Sequence, residues 1–105
     1  MKSNEKIAYL AVYGCFAAYA DGVKREKILD RAINDLICIY GLPKDNHLYS
    51  LADSAFDKML TDGIISIIPY SEMTDDQKRG EDNFSGVFYR RIRELKDEEI
   101  KELKL

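Results

Sequence analysis

The stretch Tyr89-Arg90-Arg91-Ile92-Arg93 sets three guanidinium groups within five residues. A guanidinium is a planar fork of donors that matches the oxygens of a phosphate or a carboxylate. On an extended strand, alternation sends Tyr89, Arg91 and Arg93 to one face and Phe88, Arg90 and Ile92 to the other. Two chemistries suit such a group: contact with a phosphate backbone or an acidic partner, or pairing with the Asp and Glu residues nearby. Acids and bases are nearly balanced from residue 87 to 105, so the second reading stands beside the first. Lys78 and Arg79 form a smaller basic pair upstream.

Groups suited to catalysis are sparse. His47 is the single histidine, with no second histidine and no activated nucleophile beside it in sequence. Asp53 and Asp57 stand four apart, which on a helix places both carboxylates on one face. That spacing could serve acid–base work or hold a cation, but no companion motif accompanies it. Cys15 and Cys38 fall in apolar helical stretches, outside any CxxC or Cys/His cluster, and read as reduced thiols of a cytoplasmic protein. No glycine-rich phosphate loop follows a strand. The expectation is a non-enzymatic protein with no catalytic residues, no metal and no cofactor.

Four helices and one hairpin would position these groups. The first helix starts after Ser3 or Asn4, either of which can cap its free N–H groups, and ends at Asp21-Gly22. The second covers roughly Lys24 to Tyr40, with Ile28, Leu29, Ala32, Ile33, Leu36, Ile37 and Tyr40 at spacings of three and four and a stop at Gly41. Lys24, Arg25, Lys27 and Arg31 give its first half a positive outer surface, which the helix dipole disfavours. The third begins after Asp45 or Asn46 and runs to Asp62. It carries Leu48, Leu51, Ala52, Ala55, Phe56, Met59 and Leu60 on one side, and Tyr49, Ser50, Asp53, Ser54, Asp57, Lys58 and Thr61 on the other. The β-branched run Ile64-Ile65-Ser66-Ile67-Ile68 reads as a strand and Phe84 to Ile92 as its returning partner. A long polar loop, 70–83, joins them, and loops of that length are usually functional or mobile. Asp97-Glu98-Glu99 opens a last helix that packs through Leu95, Ile100, Leu103 and Leu105.

At 105 residues, with 46% hydrophobic and 33% charged residues, the chain reads as one globular domain, 1–105, with no repeat or linker. A membrane span is excluded for the apolar run Ile7 to Ala20, because its 14 residues fall short of the roughly 20 needed. A cleaved signal is disfavoured by Glu5 in the flank and by three tyrosines and Gly14 within the run. The run therefore reads as a helix covered on every side. Tyr9, Tyr13, Phe16 and Ala20 make one stripe, and Ala11, Gly14, Cys15 and Ala18 make a face of small side chains that lets another helix come close.

The element order is α+β and mainly helical: a three-helix core, a two-stranded β-hairpin and a C-terminal helix. It resembles the winged helix-turn-helix domains, most clearly over "LADSAFDKMLTDGIISIIP", Leu51 to Pro69. There Met59-Leu60-Thr61-Asp62-Gly63-Ile64-Ile65 matches a third helix, a glycine, an apolar pair and the first wing strand. The resemblance implies a small homodimeric, sequence-specific DNA-binding protein, a transcriptional regulator or DNA-segregation adaptor. Its third helix would enter the major groove through Tyr49, Ser50, Ser54 and Lys58. Lys78, Arg79, Arg90, Arg91 and Arg93 of the hairpin wing would hold the DNA backbone. The dimer would form through Ala11, Gly14, Cys15, Ala18 and Leu103.

Charge favours a rival. The net charge is −3; residues 44–63 carry two lysines against four aspartates, and residues 64–86 carry Lys78 and Arg79 against five acids. Carboxylates facing phosphates oppose the counterion release that dominates DNA affinity. The alternative is therefore an acidic protein–protein interaction module, an inhibitor or adaptor, using the third-helix face or the 70–83 loop.

Overall fold

The computed structural model describes residues 1–80 and 87–104. Its helices are α1 (Ser3–Cys15), α2 (Arg25–Cys38), α3 (His47–Thr61), α4 (Asp75–Gly80) and α5 (Asp97–Lys104). Its strands are β1 (Val23–Lys24), β2 (Ile65–Ile67) and β3 (Phe88–Arg91), joined in one antiparallel sheet of order β1-β3-β2. The fold is α+β and mainly helical, with a three-helix core, a hairpin and a closing helix, as the element order requires.

The core follows from the apolar spacing. Each of the first three helices packs on the other two, and α5 adds to α1. Val12, Ile28, Leu29, Leu36, Phe56, Met59 and Ile64 are the largest side chains cut off from solvent. The apolar run at the start of the chain is central in this arrangement. Ala8, Tyr9, Ala11, Val12, Cys15 and Phe16 are buried, while Gly14, Ala17, Ala18 and Ala20 stay exposed. The helix is thus covered over most of its circumference rather than all of it. Among the described residues, no helix is long and apolar enough to cross a membrane.

Several boundaries differ from those read in the sequence. α1 stops at Cys15 and tightens into a 3-10 turn over Phe16–Ala18, with Tyr19 N–H donating to the Phe16 carbonyl at 3.0 Å. Buried Phe16 and exposed Ala17 and Ala18 fit that tighter turn, which a continued α-helix would rotate out of place. At its start the capping position falls on Lys2 rather than on Ser3 or Asn4, and Glu5 reaches back to accept the Lys2 N–H at 3.2 Å. Ahead of the third helix, whose capping position is Asn46, the Asp45 carboxylate accepts the His47 N–H at 2.7 Å. Gly63, at φ +73, takes the left-handed conformation that ends α3 and turns the chain into β2.

The hairpin pairs Ile65 with Arg91, Ser66 with Arg90 and Ile67 with Tyr89. Further bonds from Ile68 N–H to the Phe88 carbonyl and from Ile92 N–H to the Ile64 carbonyl, both 2.8 Å, extend the pairing at each end. The expected return strand began at Phe84; residues 84–86 lie outside the described set, as do 81–83 of the expected loop and Leu105. The sheet gains a third strand that hydrophobic patterning did not suggest: Val23 and Lys24 pair with Tyr89 and Phe88.

The 70–80 part of the loop is built rather than open. A 3-10 turn at Tyr70–Glu72 leads into α4, where Thr74 and Gln77 exchange backbone-to-side-chain hydrogen bonds. The buried Gln77 amide also donates to the Asp21 carbonyl at 2.7 Å, fastening this segment to the turn before β1. Gly22 makes that junction possible. It sits at φ +107, and a Cβ there would lie 2.2 Å from the Ile68 side chain.

Candidate nucleic-acid interface

α3 shows solvent the face that its spacing assigned to it. Tyr49, Ser50, Ser54 and Lys58 are exposed, and Ala52, Ala55, Phe56 and Met59 are buried beneath them. The two aspartates of that face, however, are not free. Arg25, the first residue of α2, reaches across to α3. Its Nη2 lies 2.6 Å from Asp53 Oδ1 and 2.9 Å from Asp57 Oδ1, and its Nε donates to Asp53 Oδ1 at 3.2 Å. The guanidinium carbon stands 4.5 Å from the centre of the Phe56 ring, so the cation lies on a fully buried aromatic side chain of the core. Burial works to lower the Arg25 pKa, but the hydrogen bonds to Asp53 and then Asp57 outweigh it and leave the group above its ordinary value. Asp53 and Asp57 are thus the two arms of a clamp joining α2 to α3.

The hairpin cations have other partners. Arg90 pairs with Glu72 at 2.8 Å, Arg79 pairs with Asp76, and Arg93 engages both oxygens of Glu99 at 3.0 and 3.2 Å. Arg91 points the opposite way from Arg90, its guanidinium 4.7 Å from the Tyr13 ring centre, and Lys78 stands 5.1 Å over Tyr70. The expected alternation along 88–91 is present, and it separates the arginines: Tyr89 sets its ring edge-on against Phe56 at 4.8 Å on the core side. Lys58 pairs with Asp62 one turn on, at 3.6 Å. The sequence-assigned DNA contacts therefore fall into an α3 group and a hairpin group. Most members of the hairpin group already hold a carboxylate.

The C-terminal helix is held by similar means. The Tyr13 hydroxyl accepts the Leu95 N–H at 3.0 Å just ahead of that helix, while the Tyr9 hydroxyl, donating to Asp62 at 2.9 Å, ties α1 to the end of α3. Glu99 accepts the Lys96 N–H as well as the Arg93 guanidinium. Those two contacts, Arg93 first, lower its carboxyl to about 2.

Of the five residues assigned to a dimer interface, Ala11, Cys15 and Leu103 are covered within the single chain. Only Gly14 and Ala18 remain exposed. The small-residue face of α1 is in contact with α2: Cys15 Sγ lies 3.5 Å from the Asp35 carboxylate. Burial, followed by that hydrogen bond, raises the Cys15 thiol to about 12. Cys38 is exposed, and neither cysteine is in a disulfide. His47 lies exposed in the first turn of α3, on the rim of a groove of ≈ 590 Å³ between the start of α1, Leu42-Pro43 and Leu51. Among the described residues there is no group of three or more His, Cys, Asp or Glu that could hold a metal ion.

Sequence reading missed the Arg25 clamp. Its signal was present, since Arg25 opens the basic run of the second helix and Asp53 and Asp57 share a helix face. What joins them is a separation of 28 and 32 residues, which only the packing of α2 on α3 closes. Comparison with protein-family models, with curated proteins and with solved structures gives no match.

Proposed function

We propose that the chain is a non-enzymatic DNA-binding module of winged-helix type, a transcriptional regulator or segregation adaptor, with α3 as the element that enters the major groove. The observation that carries this reading is the Arg25 clamp. The acidic face of α3 was the main objection to DNA binding, and Arg25 holds both of its carboxylates. The hydroxyls of Ser50 and Ser54, the Tyr49 phenol and the Lys58 ammonium are then presented around a carboxylate pair of which one charge is compensated by Arg25. Such groups can donate to base edges and phosphates. The order β1-β3-β2, in which a short strand before α2 joins the hairpin, ties the hairpin to the same end of α2 and supports the same reading. In this proposal two copies of the chain would act together through surfaces other than Ala11, Cys15 and Leu103.

Fluorescence anisotropy of a labelled duplex from upstream of the coding sequence, against a scrambled duplex at two salt concentrations, tests the proposal. Selective binding that weakens steeply with salt is expected, as is a loss of selectivity in Ser54→Ala. Absence of binding at low salt overturns it. A second reading, a protein-interaction module, is favoured by the pairing of Arg79, Arg90 and Arg93 with carboxylates. It predicts no duplex binding and no effect of neutralising Arg90.

A further inference from the structure

The first half of α2 carries cations that the clamp does not explain. At about 100° per residue, Lys27 and Arg31 lie roughly 200° and 240° round the helix from Arg25, away from α3. Lys27 lies in the first turn, where a cation opposes the helix dipole, so helix stability does not account for it. Lys27 and Arg31 both meet Tyr19 instead. Lys27 Nζ is 5.3 Å and Arg31 Cζ 5.7 Å from the ring centre, and Arg31 Nη1 donates to the Tyr19 hydroxyl at 3.4 Å. Beside them Lys24 stands 5.6 Å over the Phe88 ring. A groove of ≈ 520 Å³ runs between the two rings, bordered by Lys24 and Lys27 and also by Glu26 and Asp30.

We infer that this face, Tyr19, Lys27, Arg31 and Phe88, is a second contact for a nucleic-acid backbone, separate from α3. Among the described residues Lys27 and Arg31 form no ion pair, whereas Arg25, Lys58, Arg79, Arg90 and Arg93 all do. A cation resting on a ring keeps N–H donors directed to solvent, and a phosphate can take them without first displacing a carboxylate. The two rings add flat apolar surface on which a sugar or an unpaired base can lie. That pairing of rings with cations fits a nucleic acid better than an acidic peptide, which offers carboxylates but nothing to stack. Glu26 and Asp30 limit the site to phosphates that approach along the Lys27–Arg31 side. The inference rests on the nucleic-acid reading of the chain but not on α3.

The test is an amide-resolved NMR titration of the full chain with a short duplex of arbitrary sequence at low salt, repeated on the double variant Lys27→Gln/Arg31→Gln. Movement of the Tyr19, Lys27, Arg31 and Phe88 amides supports the inference. So does a salt-dependence slope shallower by about 2 in the variant, one unit for each phosphate that is no longer neutralised. Movement confined to α3 overturns it while leaving the proposed function standing, and no movement anywhere overturns both. Poly-glutamate binding the same face as tightly as the duplex also overturns it. Both substituted side chains are outside the core, and a far-ultraviolet spectrum and melting curve matching the parent's establish that the variant is folded.

Discussion

Two sets of cations in this chain use the same side-chain chemistry in opposite ways. On the hairpin side, Arg79, Arg90 and Arg93 each hold a carboxylate: Asp76, Glu72 and Glu99. On the outer face of α2, Lys27 and Arg31 rest on the Tyr19 ring. A phosphate meeting the first set must compete with an anion already in place, and one meeting the second competes with a phenol hydroxyl and a ring but with no ion-paired carboxylate among the described residues. Density of arginine in the sequence is therefore a poor guide to where an anion would bind here. "YRRIR" is the most basic stretch, yet its members are divided among Glu72, Tyr13 and Glu99. Arg25 stands between the two sets, touching an aromatic ring and two carboxylates at once.

The largest effect should come from removing the ring shared by the α2–α3 clamp and the hairpin. Phe56 is fully buried, lies under Arg25 and meets Phe16 and Tyr89 at 5.9 and 4.8 Å. Phe56→Ala is expected to cost about 3–5 kcal/mol in urea unfolding, loosening the α2–α3 clamp and the hairpin together. A cost below about 1 kcal/mol would mean that the two regions do not share this support.

Gly22→Ala comes next. The positive φ of +107 is the main obstacle to a side chain there, with the Ile68 Cδ1 having to move aside and the Tyr89 carbonyl only 3.3 Å from a Cβ, for a cost of about 1–3 kcal/mol. Because Gly22 joins the start of α2 to the hairpin, Lys27 and Arg31 should lose their salt-dependent duplex binding along with stability. Unchanged melting would show that the junction rearranges freely.

Acid sharpens the comparison on the hairpin side. Glu99 is lowered to about 2 by Arg93 and the Lys96 N–H, so its contribution is complete above the ordinary carboxylate range, near pH 4.5. It is lost as pH falls through about 2. Glu99→Gln should flatten this part of the stability profile and release α5 first, read from the Leu95 and Leu103 amides. An identical acid profile in the variant would remove Glu99 from that account.

The smallest change in stability, and the most direct comparison of the two sets, is Glu72→Gln. The Arg90–Glu72 pair is partly exposed, at 35% and 51% of the two side chains, and such pairs contribute about 0–1 kcal/mol. Melting should hardly move, but the freed Arg90 should raise duplex affinity measurably at low salt. If affinity is unchanged, pairing with a carboxylate is not what keeps the hairpin arginines from an anion.

Much of the fold was written in local patterns. The three core helices, the β-branched strand before Pro69 and the final helix could be read from three-and-four spacings, alternation and the stops at Gly41 and Gly63. The outward face of α3 followed from the same spacing, and the opposite directions of Arg90 and Arg91 from strand alternation. These features depend on backbone geometry, which repeats every 3.6 residues in a helix and every two in a strand whatever the remainder of the chain does.

What the tertiary structure alone decided is which charges meet. β1 is two residues long, too short for any hydrophobic period, and exists because Tyr89 and Phe88 lie alongside it. Gln77 is buried where its amide donates to the Asp21 carbonyl, 56 residues away in sequence. Ala11 and Cys15 are buried within the single chain, Cys15 against Asp35 of α2. Asp53 and Asp57 were legible as a pair on one helix face, but Arg25, which offsets one of their two charges and ties both down, comes from another helix. Composition determines how many charges a chain carries. Coulomb attraction acts over a few ångströms, so only the packing of distant segments determines which of those charges remain available to a partner.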